Sequence, residues 1–292
     1  MAELAEFEGY RRLLFDVAYR MLGSVGDAED AVQETWLRWQ KADHSDIEDA
    51  RRFLTTVISR LCLDMLGSAR VRRESYVGEW LPEPLVAHMA AELSPEDKVA
   101  LDESVGLALL AVLERLSPAE RTALVLHDVF GMPFSEVAEV VERSPEAVRQ
   151  LASRARRRVR QHAPKQSVDR QEHQQAVEAF VKASVSGDLE GLLHVLDPDV
   201  VWRADGGGVV TAARRPVWGP DKVARLACAV GERLTSKTVS VEFCDVNGAP
   251  GLYVRDSVVQ RAGVLAFTVA DGRITEIDFV VNPEKLTRLP VM

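Results

Sequence analysis

The sequence predicts a multidomain protein in which two all-α domains precede an α+β domain. Apolar residues recur at helical spacing through residues 4–66 and again through 101–161, which indicates two sets of amphipathic helices. From about residue 165 the pattern changes, and a few helices lead into β-rich runs separated by turn residues such as Asn247-Gly248. A length of 292 residues allows two or three domains, each with its own core. Helices first and a strongly bent antiparallel sheet afterwards are typical of α+β architecture.

Residues 1–73 are predicted to form the first helical domain, with helices over about 4–23, 27–40 and 50–66. Gly23 and Gly26 end the first helix, and Asp27 is expected to cap the second. Apolar side chains at helical spacing define the buried faces. These are Leu14, Val17, Ala18, Met21 and Leu22, then Ala28, Val32, Thr35, Trp36 and Trp39, then Leu54, Val57, Ile58, Leu61 and Met65.

Residues 74–100 lose this periodicity and are predicted to be a linker. They contain Trp80-Leu81-Pro82-Glu83-Pro84, where two prolines in three positions impose an extended backbone. Residues 101–163 are predicted to form the second helical domain. It would contain a helix over about 101–116, a helix from the capping box Ser117-Pro118-Ala119-Glu120 to Gly131, a short helix over 134–142 and a long one from Pro145 to Gln161.

Residues 134–161 have the pattern of a helix-turn-helix, with Glu142-Arg143-Ser144 as the turn. Although the net charge is −9, residues 143–160 hold seven arginines against one acid, Glu146. Arginine and glutamine at the start of such a helix can reach guanine and adenine edges, whereas arginines further along suit phosphates. The predicted outer face consists of Ser144, Glu146, Arg149, Gln150, Ser153, Arg154, Arg157 and Arg158. On this segment alone, a solvated basic helix of an ordinary bundle remains an alternative.

The second helix of the first domain carries an acidic outer face formed by Glu29, Asp30, Gln33 and Glu34. Acidic side chains crowded within one or two turns repel one another unless a cationic partner approaches them. The face therefore suggests a basic protein surface as partner, with a merely soluble face as the alternative.

Three segments resemble extracytoplasmic-function (ECF) sigma factors, in family order. Asp27-Ala-Glu-Asp-Ala-Val-Gln-Glu-Thr-Trp-Leu-Arg-Trp39 resembles the signature of their second conserved region, and the segment from Arg52 to Asp64 resembles the helix that follows it. The segment from Leu116 to His127, with the helix-turn-helix after it, resembles the fourth conserved region. Together these matches cover about residues 1–162.

This resemblance implies that region 2, residues 1–73, binds core RNA polymerase through Glu29, Asp30, Gln33 and Glu34. It also implies that region 2 holds the −10 promoter element, through the loop at about 41–49 and Arg52, Arg60, Arg70, Arg72 and Arg73. Region 4, residues 101–163, would read the −35 element with the outer face of the helix-turn-helix. The implied partners are core RNA polymerase and promoter DNA, and no membrane is implied.

Residues 164–292 resemble the NTF2/SnoaL-like family, a cone-shaped α+β fold with a cavity between helices and sheet. Predicted helices over about 169–186, 188–196 and 220–233 and strands over about 199–208, 237–246, 251–260, 262–270 and 273–281 fit its element order. The resemblance implies a possible small ligand in the cavity. Asp205 is a candidate catalytic base there, but no tyrosine–aspartate donor pair stands at a recognisable spacing. A glycine-rich turn after Asp205 is the alternative.

Three motifs resemble a narrower group, the sigma factors with a fused SnoaL-like extension (the ECF41 or SigJ-like group). They are Trp80-Leu81-Pro82-Glu83-Pro84, Asp205-Gly206-Gly207-Gly208 and Asn282-Pro283-Glu284-Lys285-Leu286. Glu284 replaces the usual Asp, and Val209 stands where an arginine is frequent. The resemblance implies that the extension regulates the sigma regions in place of a separate anti-sigma protein.

The linker motif and the chain-end motif are expected to form one regulatory contact. Trp80 is a large apolar side chain that is costly to leave in water. We expect Lys285 to pair with Glu83, and Leu286 to pack on Trp80 or Leu81. The alternative is a disordered linker with Trp80 packed on its own helical domain.

Composition narrows the remaining classes of protein. The sequence contains no apolar stretch of membrane-spanning length and no secretory signal pattern, so a cytoplasmic protein is expected. Its three cysteines form no metal-binding spacing, and the sequence indicates neither metal nor cofactor. Two other functions stay open, a one-component ligand-responsive DNA-binding regulator and a SnoaL-type small-molecule enzyme.

Overall fold

The computed structural model describes residues 2–74, 76–88, 106–162 and 169–289. The chain divides into two compact units. The helical unit comprises Met1–Ser75 and Val112–His162, and the sheet unit comprises Tyr76–Ala111 and Ala163–Met292. The described linker residues, 76–88, group with the sheet unit.

The first part of the helical unit contains α1 (Ala2–Leu22), α2 (Val25–Lys41) and α3 (Ala50–Glu74), with a 3-10 turn at His44–Asp46. The cap of α2 differs from the prediction. Ser24 is the N-cap, and its Oγ accepts a hydrogen bond from the Asp27 amide at 3.2 Å. Asp27 instead stands in the first helical turn, where its charge complements the helix dipole.

The three helices bury one apolar core, which includes Phe7, Leu14, Trp39, Leu54 and Ile58. Most predicted inward positions are buried. Trp36, Val57 and Met65 are only partly buried, because each lies at the margin of its helix's apolar face.

The second part of the helical unit follows the linker. The helix α4 (Leu107–Leu113) leads into it, with its first five residues grouped in the sheet unit, and α5 (Pro118–Leu124), a π-helical turn at Val125–Val129, α6 (Phe134–Val141) and α7 (Pro145–His162) follow. The helix predicted to reach Gly131 is therefore α-helical only to Leu124. The first part of the predicted helix over 101–116 lies outside the described residues.

The predicted capping box of α5 is present. The Glu120 amide donates to Ser117 Oγ at 3.4 Å, and the Ser117 amide donates to Glu120 Oε2 at 3.2 Å. Between α6 and α7, Glu142 adopts a left-handed conformation (φ 52°) that lets the chain turn sharply within three residues.

The sheet unit contains three helices, α8 (Arg170–Ser186), α9 (Leu189–Val195) and α10 (Pro220–Leu234). Its strands are β1 (Val86–His88), β2 (Leu196–Asp205), β3 (Val217–Trp218), β4 (Val239–Val246), β5 (Ala249–Asp256), β6 (Arg261–Ala270) and β7 (Arg273–Val280). The strand order is β1-β4-β5-β6-β7-β2-β3.

The prediction of an antiparallel sheet is wrong for one pair of strands, because β2 and β7 are parallel. Three hairpins carry the chain from β4 to β7 and bring the last strand alongside β2 in the same direction. Strand β1 comes from the linker and pairs antiparallel with β4. It was not predicted, because three residues after two prolines are too few to display an alternating pattern.

Both faces of the sheet are covered. Helices α8 to α10 pack on one face around Phe180, Trp202, Phe267 and Ile277. On the other face, linker residue Leu81 and chain-end residue Leu286 share a core with Tyr253, Val264 and Val280. Since successive side chains of a strand point to opposite faces, Trp202 and Ala204 join the first core, and Arg203 and Asp205 point to the face that the linker covers.

Candidate functional site

The predicted outer face of the helix-turn-helix is exposed. Ser144 precedes α7, and its Oγ accepts a hydrogen bond from the Ala147 amide at 3.2 Å. Val148, Leu151, Ala152 and Ala155 are buried beneath the helix. The eight residues predicted for the outer face are all exposed: Ser144, Glu146, Arg149, Gln150, Ser153, Arg154, Arg157 and Arg158.

Some arginines of α7 form ion pairs with acidic side chains of the helical unit, and others do not. Arg154 Nε lies 3.3 Å and Arg158 Nη1 lies 2.6 Å from the carboxylate of Glu120, whose side chain is 5% exposed. Arg156 holds Asp128 with two hydrogen bonds of 2.7 and 2.6 Å. Within the described ranges Arg157 has no such acid. Arg157 can therefore give its whole charge to an external phosphate.

Glu120 serves both the helix cap and the arginines. Burial opposes its ionisation, but hydrogen bonds from Ser117 and the charges of Arg158 and Arg154 hold the pKa of Glu120 below its ordinary value. Sequence reasoning found the capping role and missed the pairing with α7, because the partners lie more than thirty residues away along the chain.

Arg149 stands near the start of α7 on an aromatic support. Its guanidinium lies 5.6 Å from the centroid of the Phe134 ring, and Phe134 stacks on His127 with centroids 3.6 Å apart. Arg149 also lies 3.3 Å from Glu146, but both side chains are mostly exposed, so that ion pair contributes little. Phe134 therefore helps to fix the direction of Arg149.

The predicted acidic face of α2 is also exposed, with Glu29, Asp30, Gln33 and Glu34 on the surface. Glu34 pairs with Arg38 one turn later at 3.1 Å. Beside these acids runs a groove of about 700 Å³ between α1 and α2, which Phe15, Val32 and Trp36 line with apolar surface. The face thus offers both charge and apolar area to a protein partner.

A second groove, of about 780 Å³, lies between the 3-10 turn and α3. Its apolar and aromatic surface comes from Ile47, Phe53 and Val57. Its charged lining consists of the bases Arg38, Lys41, Arg52 and Arg60 and the acids Asp43, Asp46, Glu48 and Asp49. The backbone of α3 is helical through the predicted positions Arg70, Arg72 and Arg73, but their side chains lie outside the described residues.

A polar cluster joins the linker to the chain end within the sheet unit, and its centre is the fully buried Asp205. Its carboxylate accepts hydrogen bonds from Tyr76 Oη at 2.5 Å, the Leu81 amide at 2.9 Å and the Gly207 amide at 3.0 Å. Lys285 Nζ pairs with the same carboxylate at 2.6 Å.

The remaining donors close the cluster. Lys285 Nζ also donates to the Leu81 carbonyl and lies 3.8 Å from the centroid of the Trp80 ring. Asn282 Nδ2 donates to Tyr76 Oη at 2.8 Å. Burial and the hydrogen bond to Asp205 raise the pKa of the Tyr76 phenol, so it remains a donor at neutral pH.

The cluster brings together most residues that the three motifs predicted for the contact. Lys285 forms an ion pair with Asp205, and its predicted pairing with Glu83 stays a prediction. Leu286 packs in one core with Leu81, whereas Trp80 lies beneath the Lys285 ammonium. Pro82, Glu83 and Pro84 are buried.

The glycines after Asp205 allow the close approach of the chain end. Gly207 has φ +64°, and a Cβ there would lie 2.5–2.7 Å from the Asn282 side chain. A Cβ on Gly206 would lie 2.2 Å from the Val210 carbonyl oxygen, and Gly208 (φ +74°) packs against Val77. The exposed Pro283 begins a 3-10 turn, Pro283–Lys285, that presents Lys285.

Tyr76 is the member of the cluster that sequence reasoning missed. It forms a tyrosine–aspartate pair with Asp205, although the two residues are 129 positions apart. No motif marks Tyr76, so only the packing of the linker on the sheet could find it.

Among the described residues, no helix is both long enough and apolar enough to cross a membrane.

Comparisons with known proteins match the chain over its whole length. The family profile Sigma-70 region 2 matches residues 7–72, and Sigma-70, region 4 matches residues 106–159. The ECF RNA polymerase sigma factor SigJ of Mycobacterium tuberculosis is 42% identical over 297 residues, which cover 99% of this chain and 95% of the relative. The probable ECF RNA polymerase sigma factor SigI of the same species is 39% identical and covers 98% and 95%.

Solved structures give the same result. The crystal structure of M. tuberculosis SigJ superposes with a TM-score of 0.79 at 39% sequence identity, covering 99% of this chain and 100% of that one.

Proposed function

Because the chain belongs to the extracytoplasmic-function sigma factors, we propose that it brings core RNA polymerase to promoters, with its own C-terminal domain as regulator. The observation that carries this proposal is the presence of three separate surfaces that the task requires. They are an acidic and apolar face on α2, a groove beside α3 with arginines and an aromatic ring in its lining, and an exposed basic face on α7. A polymerase partner implies that it acts in the cytoplasm.

The α2 face is our proposed contact with core polymerase. Glu29, Asp30, Gln33 and Glu34 would meet basic residues of the enzyme, and the neighbouring groove over Phe15 and Trp36 would bury apolar surface. Charge would guide association, and burial of the groove would contribute the part of the affinity that salt does not screen.

The groove beside α3 is our proposed site for the −10 element. Arg52 and Arg60 would hold phosphates, and Phe53 offers an aromatic surface on which an unpaired base can stack. The outer face of α7 would enter the major groove at the −35 element, where Arg149 and Gln150 would contact bases and Arg157 phosphates.

We assign the C-terminal domain a regulatory rather than a catalytic role. Asp205, the candidate base, is fully buried and its carboxylate already accepts from three donors and pairs with Lys285. The cavity beside it, lined by Val77, Gly78 and residues 208–214, has a volume of about 120 Å³. That is below the roughly 300–1,000 Å³ of ordinary small-molecule sites.

The regulatory role rests on the cluster at Asp205, which ties the linker between the two sigma regions to the C-terminal domain. Tyr76, Trp80 and Leu81 in the linker are held by Asp205 and Lys285. Since the linker sets how far the two DNA-binding regions can separate, a change in this cluster would alter transcription.

Reversing the charge of the α2 face tests the polymerase contact. In the variant with Asp30→Lys and Glu34→Lys, association with core polymerase is expected to weaken by about tenfold or more, because like charges facing a basic surface cost several kcal/mol. Both side chains are exposed, so the fold should be unaffected. The measurement is the Kd for core polymerase, by fluorescence anisotropy of the labelled full chain.

A matched control replaces two acids elsewhere on the surface, Glu178→Lys and Glu190→Lys, and changes the net charge equally. It should bind core polymerase like the wild type. Equal Kd values for the α2 variant and the wild type would refute the assigned contact.

A further inference from the structure

The first helix of the helix-turn-helix, α6, holds two arginines of the α3 groove, Arg52 and Arg60. Arg52 Nη2 lies 3.1 Å from Glu139 Oε1, and Arg52 Nε lies 3.8 Å from Glu136 Oε1. Arg60 Nη2 donates a hydrogen bond to the backbone carbonyl of Glu139 at 2.9 Å. Glu139 thus meets both arginines, one through its carboxylate and the other through its carbonyl oxygen.

The same two guanidinium groups are those that we assign to the −10 phosphates. A guanidinium offers a planar fork of donors that matches either a carboxylate or a phosphate, and a fork that holds one is closed to the other. Glu136 and Glu139 therefore stand where phosphate oxygens of a DNA strand would have to lie.

We propose that the acidic edge of α6, formed by Glu136 and Glu139, masks the phosphate-binding arginines of the α3 groove until a nucleic-acid strand displaces it. The inference rests on the proposed function, because it takes the α3 groove as the strand-binding site. It adds that one DNA-binding domain of the chain blocks the other.

A second contact supports this closed arrangement. Arg121 of α5 is 2% exposed, donates through Nε to the backbone carbonyl of Arg20 at 3.2 Å and pairs with Glu114 at 2.5 Å. The carbonyl lies near the end of α1. Helices α5 and α6 thus both contact the first three helices. The contact of Arg121 with α1 therefore helps to keep Glu136 and Glu139 against α3, in addition to their own ion pairs.

The masking contact is suited to displacement. Arg52 and Glu139 have side chains that are 51% and 53% exposed, so their pair is screened by solvent and salt. Because one chain carries both surfaces, weak pairing suffices to keep them together. A nucleic-acid strand offers a phosphate at every nucleotide and competes for both arginines at once.

The test uses the full chain and a fluorescein-labelled single-stranded DNA of 20 mixed-sequence nucleotides, with affinity measured by anisotropy at low salt. Glu139→Gln keeps the size of the side chain and removes its charge. It is expected to tighten binding by about two- to fivefold, the effect of releasing one exposed ion pair. Adding Glu136→Gln should tighten binding further.

Glu142→Gln is the matched control. Glu142 is exposed at the end of α6, and no ion pair is shown for it in the part of the chain that the structure describes. The substitution Glu142→Gln removes one negative charge at the end of the same helix and leaves the contacts of Arg52 and Arg60 in place. A gain for Glu142→Gln equal to that for Glu139→Gln would mean a general charge effect and would overturn the proposal.

The variant with Arg52→Ala and Arg60→Ala tests the strand-binding role of the α3 groove separately from its masking by α6. If these substitutions leave strand binding unchanged, the assignment of the α3 groove fails, and the masking fails with it. If they weaken binding, Glu139→Gln added to them should give no gain, because Arg52, the arginine that the Glu139 carboxylate holds, is absent. A persisting gain, or no gain from Glu139→Gln in the otherwise wild-type chain, would overturn the masking alone.

Discussion

Replacing Asp205 with Ala is expected to destabilise the packing of the linker on the sheet unit by about 3–5 kcal/mol, the cost of removing one partner of a buried ion pair. The substitution leaves the Lys285 ammonium, which is 11% exposed, without its carboxylate. It also removes the acceptor of Tyr76 Oη and of the Leu81 amide. Native-state hydrogen exchange of residues 76–88 in the full chain measures this free energy of opening.

Two further variants show whether the loss of stability comes from Asp205 itself and from its buried ion pair with Lys285. Asp199→Ala changes an exposed residue of the same strand, β2, and should cost no more than about 0.5 kcal/mol. The double variant Asp205→Asn and Lys285→Met removes both charges and should recover part of the loss, because no ion is left buried alone. A cost below about 1 kcal/mol for Asp205→Ala would show that the cluster does not hold the linker.

Replacing Arg149 with Ala is expected to cost about 1–3 kcal/mol at the preferred −35 sequence and to relax selectivity at one base position. The reason is that Arg149 lies near the start of α7, where a recognition helix meets base edges, and that Phe134 supports its guanidinium. Arg157→Ala should instead weaken binding to all duplexes alike and lower the salt dependence of binding, because Arg157 is exposed and no acid among the described residues pairs with it.

Selection of bound duplexes from a randomised pool, by polymerase that carries each variant, measures both effects. The Arg149→Ala pool should lose information at one position, while the Arg157→Ala pool should keep the wild-type sequence preference. If both variants selected the same sequences as the wild type with equal loss of affinity, Arg149 would be a phosphate contact and its base-reading role would be wrong.

The sequence predicted the helices well because each one buries its own apolar face. Periodicity located α1, α2, α7, α8 and α10 to within a few residues of their observed bounds. The choice between capping residues a few positions apart was harder. Ser24 and Asp27 are both good N-cap residues, and the geometry of the turn after α1 decided for Ser24.

Features that depend on distant residues could not be predicted in this way. Strand β1 exists only because β4 offers an edge to pair with, and β2 is parallel to β7 only because of the path of the intervening chain. Tyr76 bonds to Asp205, which lies 129 positions away in the sequence, and Arg52 bonds to Glu139, which lies 87 positions away. Local propensity contains no information about such partners.

The sequence predicted which segments form the linker contact but not which atoms pair within it. The segments that meet were identified by Trp80 in the proline-containing linker motif, by the glycines after Asp205 and by the rigid turn at Pro283. The ammonium of Lys285 could reach either Glu83 or Asp205 by charge alone. Asp205 is fully buried at the end of β2, and a buried carboxylate requires a cation or hydrogen-bond donors.

Transcription in vitro tests the central claim most directly. Purified core polymerase is combined with the full chain on a library of genomic promoter fragments, and transcript start points are mapped. We expect new start points downstream of a shared pair of −35 and −10 sequences only when the chain is present, and we expect their loss with Asp30→Lys and Glu34→Lys. If the chain bound those duplexes without polymerase and produced no new start points, it would not act as a sigma factor, and a one-component DNA-binding regulator would explain the helix-turn-helix instead.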